Sequence, residues 1–157
     1  MTEHFDAIVI GAGQAGPSLA GRMTDRGMTV ALIERHLFGG TCVNTGCMPT
    51  KALVASAYAA HLAGRGADYG VMLDAPLRID MAKVKARADT VRFNARRGVE
   101  NWVDGMKGLT VIRGHARFVA PREIEVDGRR LAADRVFINV GGRATVPDLP
   151  GLSDIDY

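Results

Sequence analysis

The sequence predicts an α/β fold, a parallel sheet followed by a β-meander, within one domain spanning residues 1–157. Two observations carry this. Near the start, an apolar β-branched run, a helical pattern and a second β run follow one another within about thirty residues, the size of a βαβ unit. Beyond Gly108 the helical periodicity stops and several short β runs take over.

The elements follow in order. Asp6–Ile10 is a short run of β-branched residues ending in glycine, which reads as a buried parallel strand. Gln14–Arg26 is helical, with Leu19, Ala20 and Met23 on one face, Pro17 in the first turn and Gly27 as the stop. Thr29–Ile33 is a second strand, followed by Glu34. Gly39–Gly46 reads as a loop by composition. An alanine-rich helix runs from Cys47 or Thr50 to Ala63, and Gly64, Gly66 and Gly70 break it off. Asp80 is placed to cap a long helix. Its apolar stripe comprises Met81, Val84, Ala88, Val91, Ala95, Val99, Trp102, Val103 and Met106. Lys85, Arg92 and Arg96 occupy another face, with Asp89 and Glu100 at pairing distance. The β runs Leu109–Arg113, Ala116–Val119, Glu123–Val126 and Arg135–Val140 form the meander and a final strand, with turns at Pro121 and Gly128.

Composition excludes several classes. At 47% apolar and 24% charged the chain can bury a core without disulfide staples. The net charge of +3 comes from scattered arginines with no interleaved aromatics, so a nucleic-acid partner is not expected. Neither a secretory leader nor an apolar run of membrane-spanning length is legible, so a cytoplasmic protein without a membrane partner is expected. In that compartment two neighbouring cysteines point to redox or metal chemistry rather than a structural bridge.

Two motifs carry chemistry. Gly11-Ala12-Gly13-Gln14-Ala15-Gly16 follows a strand and opens a helix. The first glycine allows the tight turn, the second the approach of a pyrophosphate, and the third close helix–strand packing. Glu34 ends the second strand, where an acidic side chain would accept hydrogen bonds from a ribose, so the context reads as dinucleotide binding. The bland alternative, a glycine-rich turn with an exposed Glu, leaves the three glycines unexplained together.

The second motif is GGTCVNTGCMPTK, Gly39 to Lys51, with Cys42 and Cys47 five positions apart. A redox pair needs two sulfurs that can meet and one activated thiolate. Cys47 sits at a helix start, whose dipole favours a thiolate, and Lys51 lies one turn further on. The alternative is half of a zinc site, but C-x₄-C is at the edge of zinc spacing, His36 is the only histidine near, and a second pair is lacking, so no metal is expected. His4, His61 and His115 stand alone in sequence, so surface or packing roles are expected for their side chains.

These residues resemble the class I pyridine nucleotide–disulfide oxidoreductases, the family of glutathione reductase, dihydrolipoamide dehydrogenase and mercuric reductase. The match runs in order through GAGQAG, Glu34, the cysteine motif, Gly114-His115-Ala116 and INVGGRATVPDLPG at Ile138–Gly151. The resemblance implies a Rossmann-like FAD-binding domain, incomplete relative to the family. Gly11, Gly13 and Gly16 would hold the FAD pyrophosphate and Glu34 the adenosine ribose. Gly40, Thr41 and Cys42 would line the flavin. Cys47 resembles the charge-transfer thiol beside the flavin ring, Cys42 the interchange thiol, and Lys51 the lysine near the flavin N5. The backbone of His115 and Ala116 would meet the adenine. Val140, Gly141 and Gly142 match the second FAD-contacting turn, with Val140 in place of the common threonine and its hydroxyl.

The implied activity is electron transfer from NAD(P)H through FAD to a Cys42–Cys47 disulfide, and on to a small disulfide, a metal or a quinone-like acceptor. The family's NAD(P)H and dimerisation domains, and the homodimer they build, are not legible in these residues. Inactivity of the isolated chain is therefore expected. The alternatives are a truncated product or a non-catalytic flavin-binding or interaction module.

Overall fold

A computed structural model describes residues 1–155. Six strands form one sheet. Chain order gives β1 (Thr2–Ile10), α1 (Ala15–Thr24), β2 (Val30–Glu34), α2 (Gly40–Asn44), α3 (Cys47–Gly64), α4 (Met81–Asp104), β3 (Leu109–Arg113), β4 (Arg117–Ala120), β5 (Glu123–Val126) and β6 (Arg129–Ile138). The order across the sheet is β3-β2-β1-β6-β5-β4. The first four are mutually parallel, and β5 and β4 add on antiparallel beside β6.

Alternation along the strands builds two cores. On one face Ala7, Val9, Val30 and Leu32 pack with Ala20 and Met23 of α1, Val103 of α4 and Phe38. On the other, Ile8, Ile10, Ala31 and Ile33 pack with Ile112, Ile124, Val126 and Leu131. Strands apolar on both faces are those of a parallel sheet covered on both sides. Each fully buried Leu, Ile or Val contributes about 1.5–3 kcal/mol.

Helix ends obey local chemistry. Pro17 is buried in the first turn of α1. Gly27, at φ 81°, ends that helix, with Met28 N–H returning to the Met23 carbonyl at 3.2 Å. Asp80 caps α4 by accepting the Lys83 N–H at 3.0 Å. Asp89 pairs with Lys85 at 2.6 Å and Arg92 at 3.1 Å, whereas Glu100 turns to Arg113 of β3 and Arg96 lies over the Phe93 ring. The α4 stripe buries Ala88 and Val103 fully; Met81 and Trp102 stay exposed.

Four expectations are corrected, for one loop, for the place of one strand in the sheet, and for the starts of β1 and β6. The Gly39–Gly46 segment is not a loop throughout: Gly40–Asn44 makes one helical turn, closed by the Thr45 and Gly46 N–H groups on the Thr41 carbonyl. Leu109–Arg113 is not part of the meander but a parallel strand beside β2. Strand β1 begins at Thr2, and β6 begins at Arg129 rather than Arg135; the two added stretches pair with each other from Thr2 and Arg130 onward. Among the described residues no helix is long and apolar enough to cross a membrane.

Candidate functional site

The carboxyl ends of the parallel strands converge, and the candidate residues gather there. Gly11 follows β1, Asn139 to Gly142 follow β6, Glu34 ends β2, and Gly114 to Ala116 follow β3. The sheet order runs outward from β1 in both directions, so the β1–β6 gap is the switch point where open α/β sheets form their ligand crevice.

The three fingerprint glycines differ in what forbids a side chain. Gly11 has φ 106°, and a Cβ there would run into the Asn139 carbonyl. At Gly16 a Cβ would run into the Gly11 carbonyl. At Gly13 the nearest atoms to a Cβ would be Asn139 Nδ2 at 3.8 Å and Gly40 Cα at 4.0 Å, an ordinary contact. Protein packing therefore demands glycine at Gly11 and Gly16 but not at Gly13. Helix α1 starts just beyond, and its N-cap Gln14 makes no side-chain cap, so the first-turn N–H groups are left for an anion. An open backbone at Gly13 beside an uncapped helix start fits a pyrophosphate.

Glu34 is half-buried. One carboxylate oxygen accepts the Ala12 N–H at 2.8 Å and the other the His36 N–H at 2.8 Å. Each oxygen keeps a further lone pair, so a ribose diol can still be accepted. The Gly114 N–H reaches the Glu34 carbonyl at 3.0 Å, and Arg35 Nη1 lies 3.4 Å from His115 Nδ1. The fold thus brings Glu34, His115 and Ala116 to one end of the cleft. His115 is exposed and Ala116 half-buried. Val140, Gly141 and Gly142 are exposed beyond β6, and a Cβ on Gly141 or Gly142 would meet nothing within 4 Å.

The cysteine segment packs against the fingerprint. Gly39 and Gly40 have φ 89° and 61°. The Gly39 N–H donates to the Ala12 carbonyl at 2.7 Å, and a Cβ on Gly40 would come within 2.8 Å of Gly13 Cα. Helix α2 then presents Thr41, exposed, and Cys42, half-buried; α3 opens at Cys47, exposed, with no side-chain cap on its first turn. Both cysteines are free thiols. A side-chain hydrogen bond with Cys47 is the largest influence on Cys42 and pushes its thiol up from the ordinary range; desolvation and the Cys47 charge act the same way. The Cys47 N–H and the Lys51 charge pull it down, more weakly. Lys51 is exposed, one turn into α3.

Three residues that lie inside the quoted motifs, and to which the sequence assigns no role, hold the site together. Asn139 sits under the fingerprint, its Nδ2 on the Gly11 carbonyl at 3.3 Å. Gln14 donates to the Gly39 carbonyl at 3.1 Å, and the buried Asn44 donates to the carbonyls of Phe38 and Gly40. An amide following a strand into Gly-Gly was the only cue to Asn139. Among the described residues no three His, Cys, Asp or Glu side chains converge.

Comparison with known proteins gives concordant matches. The model of the family described as pyridine nucleotide-disulphide oxidoreductase matches residues 5–157. A mercuric reductase from Bacillus cereus is 36% identical over 154 residues, covering 98% of this chain and 24% of that protein. A dihydrolipoyl dehydrogenase from Acholeplasma laidlawii is 30% identical over 154 residues, covering 98% of this chain and 46% of that protein. Among solved structures, the Cu(II) complex of the HOCl-induced flavoprotein disulfide reductase RclA from Escherichia coli superposes with a TM-score of 0.77 at 30% identity, covering 98% of this chain and 32% of that one. This chain therefore spans less than half the length of each of these relatives.

Proposed function

The chain belongs to the pyridine nucleotide-disulphide oxidoreductase family, and from that premise we propose that it is the FAD-binding, disulfide-bearing part of an NAD(P)H-dependent reductase. One observation carries the reading: two free cysteines, Cys42 and Cys47, stand on either side of a helix start packed directly against a phosphate-type glycine loop. Gly11 and Gly16 shape the loop, and Gly13 with the start of α1 binds the pyrophosphate. Glu34 takes the ribose, with the backbone of His115 and Ala116 at the adenine. Gly40, Thr41, Cys42, Cys47 and Lys51 face the flavin end, with Val140, Gly141 and Gly142 closing the other wall. Bound FAD would accept a hydride from NAD(P)H and pass two electrons to the disulfide.

The chain's own residues then carry the exchange. Cys42 Sγ, once deprotonated, bonds to one sulfur of an acceptor disulfide as the acceptor's S–S bond breaks and one thiol leaves. Cys47 Sγ next bonds to Cys42 Sγ and displaces the second thiol. Two electrons and two protons reach the acceptor, and the Cys42–Cys47 disulfide is restored. Lys51 keeps positive charge beside the pair. The same dithiol suits a soft metal ion as acceptor, a reading favoured by the mercuric and Cu(II) names among the relatives. Binding of NAD(P)H, pairing into a homodimer and turnover itself are assigned to the parts of the relatives beyond these residues.

Titration of FAD fluorescence with the purified chain tests the reading. Saturable quenching by the native chain, weakened in Gly13→Ala, supports it; fluorescence unchanged by the native chain overturns it. A non-catalytic flavin module is separated by reducing the thiol pair and offering a small disulfide: release of two thiols per chain with no acceptor half left attached belongs to the reductase, because mixed disulfides at two independent cysteines would retain it.

A further inference from the structure

We propose that Asn44 is a positioning residue for the Cys42–Cys47 pair, an amide clamp that fixes where the turn bearing Cys42 sits. This rests on the reading of the pair as the redox centre. Asn44 is the one buried polar or charged residue among the described residues, at 6% exposure. It closes α2, two positions after Cys42 and three before Cys47. Both protons of its amide nitrogen are used, one on the Phe38 carbonyl and one on the Gly40 carbonyl, each at 2.9 Å. Two carbonyl acceptors on one atom fix that atom as the donor end. The other end, Oδ1, is buried without a partner. An apolar side chain of similar volume would remove both donors at once.

Those donors secure an awkward piece of backbone. Gly39 and Gly40 are consecutive residues at positive φ. The fingerprint holds them from one side, through Gly39 N–H on the Ala12 carbonyl at 2.7 Å and Gln14 Nε2 on the Gly39 carbonyl at 3.1 Å. Asn44 holds them from the other and ties them to the core at Phe38. Helix α3 has a separate anchor: Arg87 of α4 donates to the Ala52 carbonyl at 2.8 Å and to Ser56 Oγ at 3.2 Å. Cys42 is thus placed by the Asn44 clamp and Cys47 by α3, the two segments meeting at the Gly46 N–H on the Thr41 carbonyl at 2.7 Å. Disulfide geometry tolerates little displacement between the two, so the ease of closing the bond depends on the clamp.

The test is the dithiol–disulfide equilibrium of the 157-residue chain in glutathione redox buffers, with thermal unfolding followed in parallel. Asn44→Asp keeps the shape but presents a carboxylate oxygen to both carbonyls; Asn44→Leu removes both donors. At least a tenfold shift toward the dithiol is expected for each, about 30 mV in potential. Gln14→Met loses one tie to the same turn from an exposed position, and a smaller shift of the same sign is expected, with unfolding unchanged. Asn44 variants that fold with the native equilibrium constant overturn the proposal. So does an unshifted Gln14→Met if the Asn44 variants fail to fold. If the native chain itself forms no exchangeable disulfide, the functional reading falls, and this inference with it.

Discussion

The Glu34 carboxylate accepts the backbone N–H of Ala12, 22 residues earlier in the chain, at 2.8 Å. The bond ties the end of β2 to the interior of the glycine loop, and the second oxygen caps His36 N–H at the same distance. Glu34 thus shapes the loop before any ligand arrives. The ribose contact assigned to it would be added to bonds that already hold it in place.

Glu34→Ala should therefore weaken the protein as well as its cofactor binding. A hydrogen bond to a charged acceptor contributes about 1.5–3 kcal/mol. For a domain of this size, losing about 2 kcal/mol lowers Tm by roughly 4–8 °C. Calorimetry of the flavin-free protein reads the structural part, and fluorescence titration of FAD reads the ligand part. An unchanged Tm with weakened FAD binding would assign the side chain to the ribose alone.

Gly16→Ala and Gly13→Ala should separate folding from binding. The Gly16 substitution drives a methyl into the Gly11 carbonyl, so the loop must move; overpacking of this kind costs about 1–3 kcal/mol. Gly13→Ala meets no atom closer than 3.8 Å and should leave Tm near that of the native chain. Its methyl would stand where a pyrophosphate approaches, so FAD affinity should fall at least tenfold. Gly13→Ala binding FAD like the native chain would remove the pyrophosphate from this loop.

Much of this arrangement was legible because it is local. Strand, glycine turn and helix share a short stretch; Gly27 and Asp80 end or start helices through bonds to near neighbours, and Pro17 fits a first turn where no N–H is needed. The misread parts depend on distant partners. Thr2 to Phe5 alternate too weakly to read as a strand and gain their pairing from Arg130 to Ala133, far along the chain. Leu109–Arg113 looks like any short β run; only its register against Val30–Glu34 makes it parallel. The α2 turn follows one glycine and opens with another, both poor helix formers, and owes its helix to the Asn44 amide and the Thr41 carbonyl. At the site, glycines and cysteines announce themselves by type and spacing. Asn44, Gln14 and Asn139 are common residues whose importance lies in which carbonyls they reach.

The raised Cys42 thiol fixes the pH dependence of exchange. A thiol whose pKa is raised stays protonated to higher pH, and only the thiolate attacks. At neutral pH Cys42 therefore holds less thiolate than an ordinary cysteine. Below its pKa that fraction grows about tenfold per pH unit. Reduction of a small disulfide by the pre-reduced chain should be slow at neutral pH and accelerate steadily into the alkaline range. Cys47→Ala removes the hydrogen bond and the charge that push Cys42 up, so the alkylation profile of Cys42 should move to lower pH. Lys51→Met removes a cation that pulls it down, so that profile should move to higher pH. Iodoacetamide rates across this range read both shifts. A Cys47→Ala profile displaced to higher pH would mean that Cys47 activates Cys42 instead of restraining it. The two sulfurs would then have to exchange the roles assigned to them, with Cys47, the more exposed residue at the start of α3, as the one that meets the acceptor.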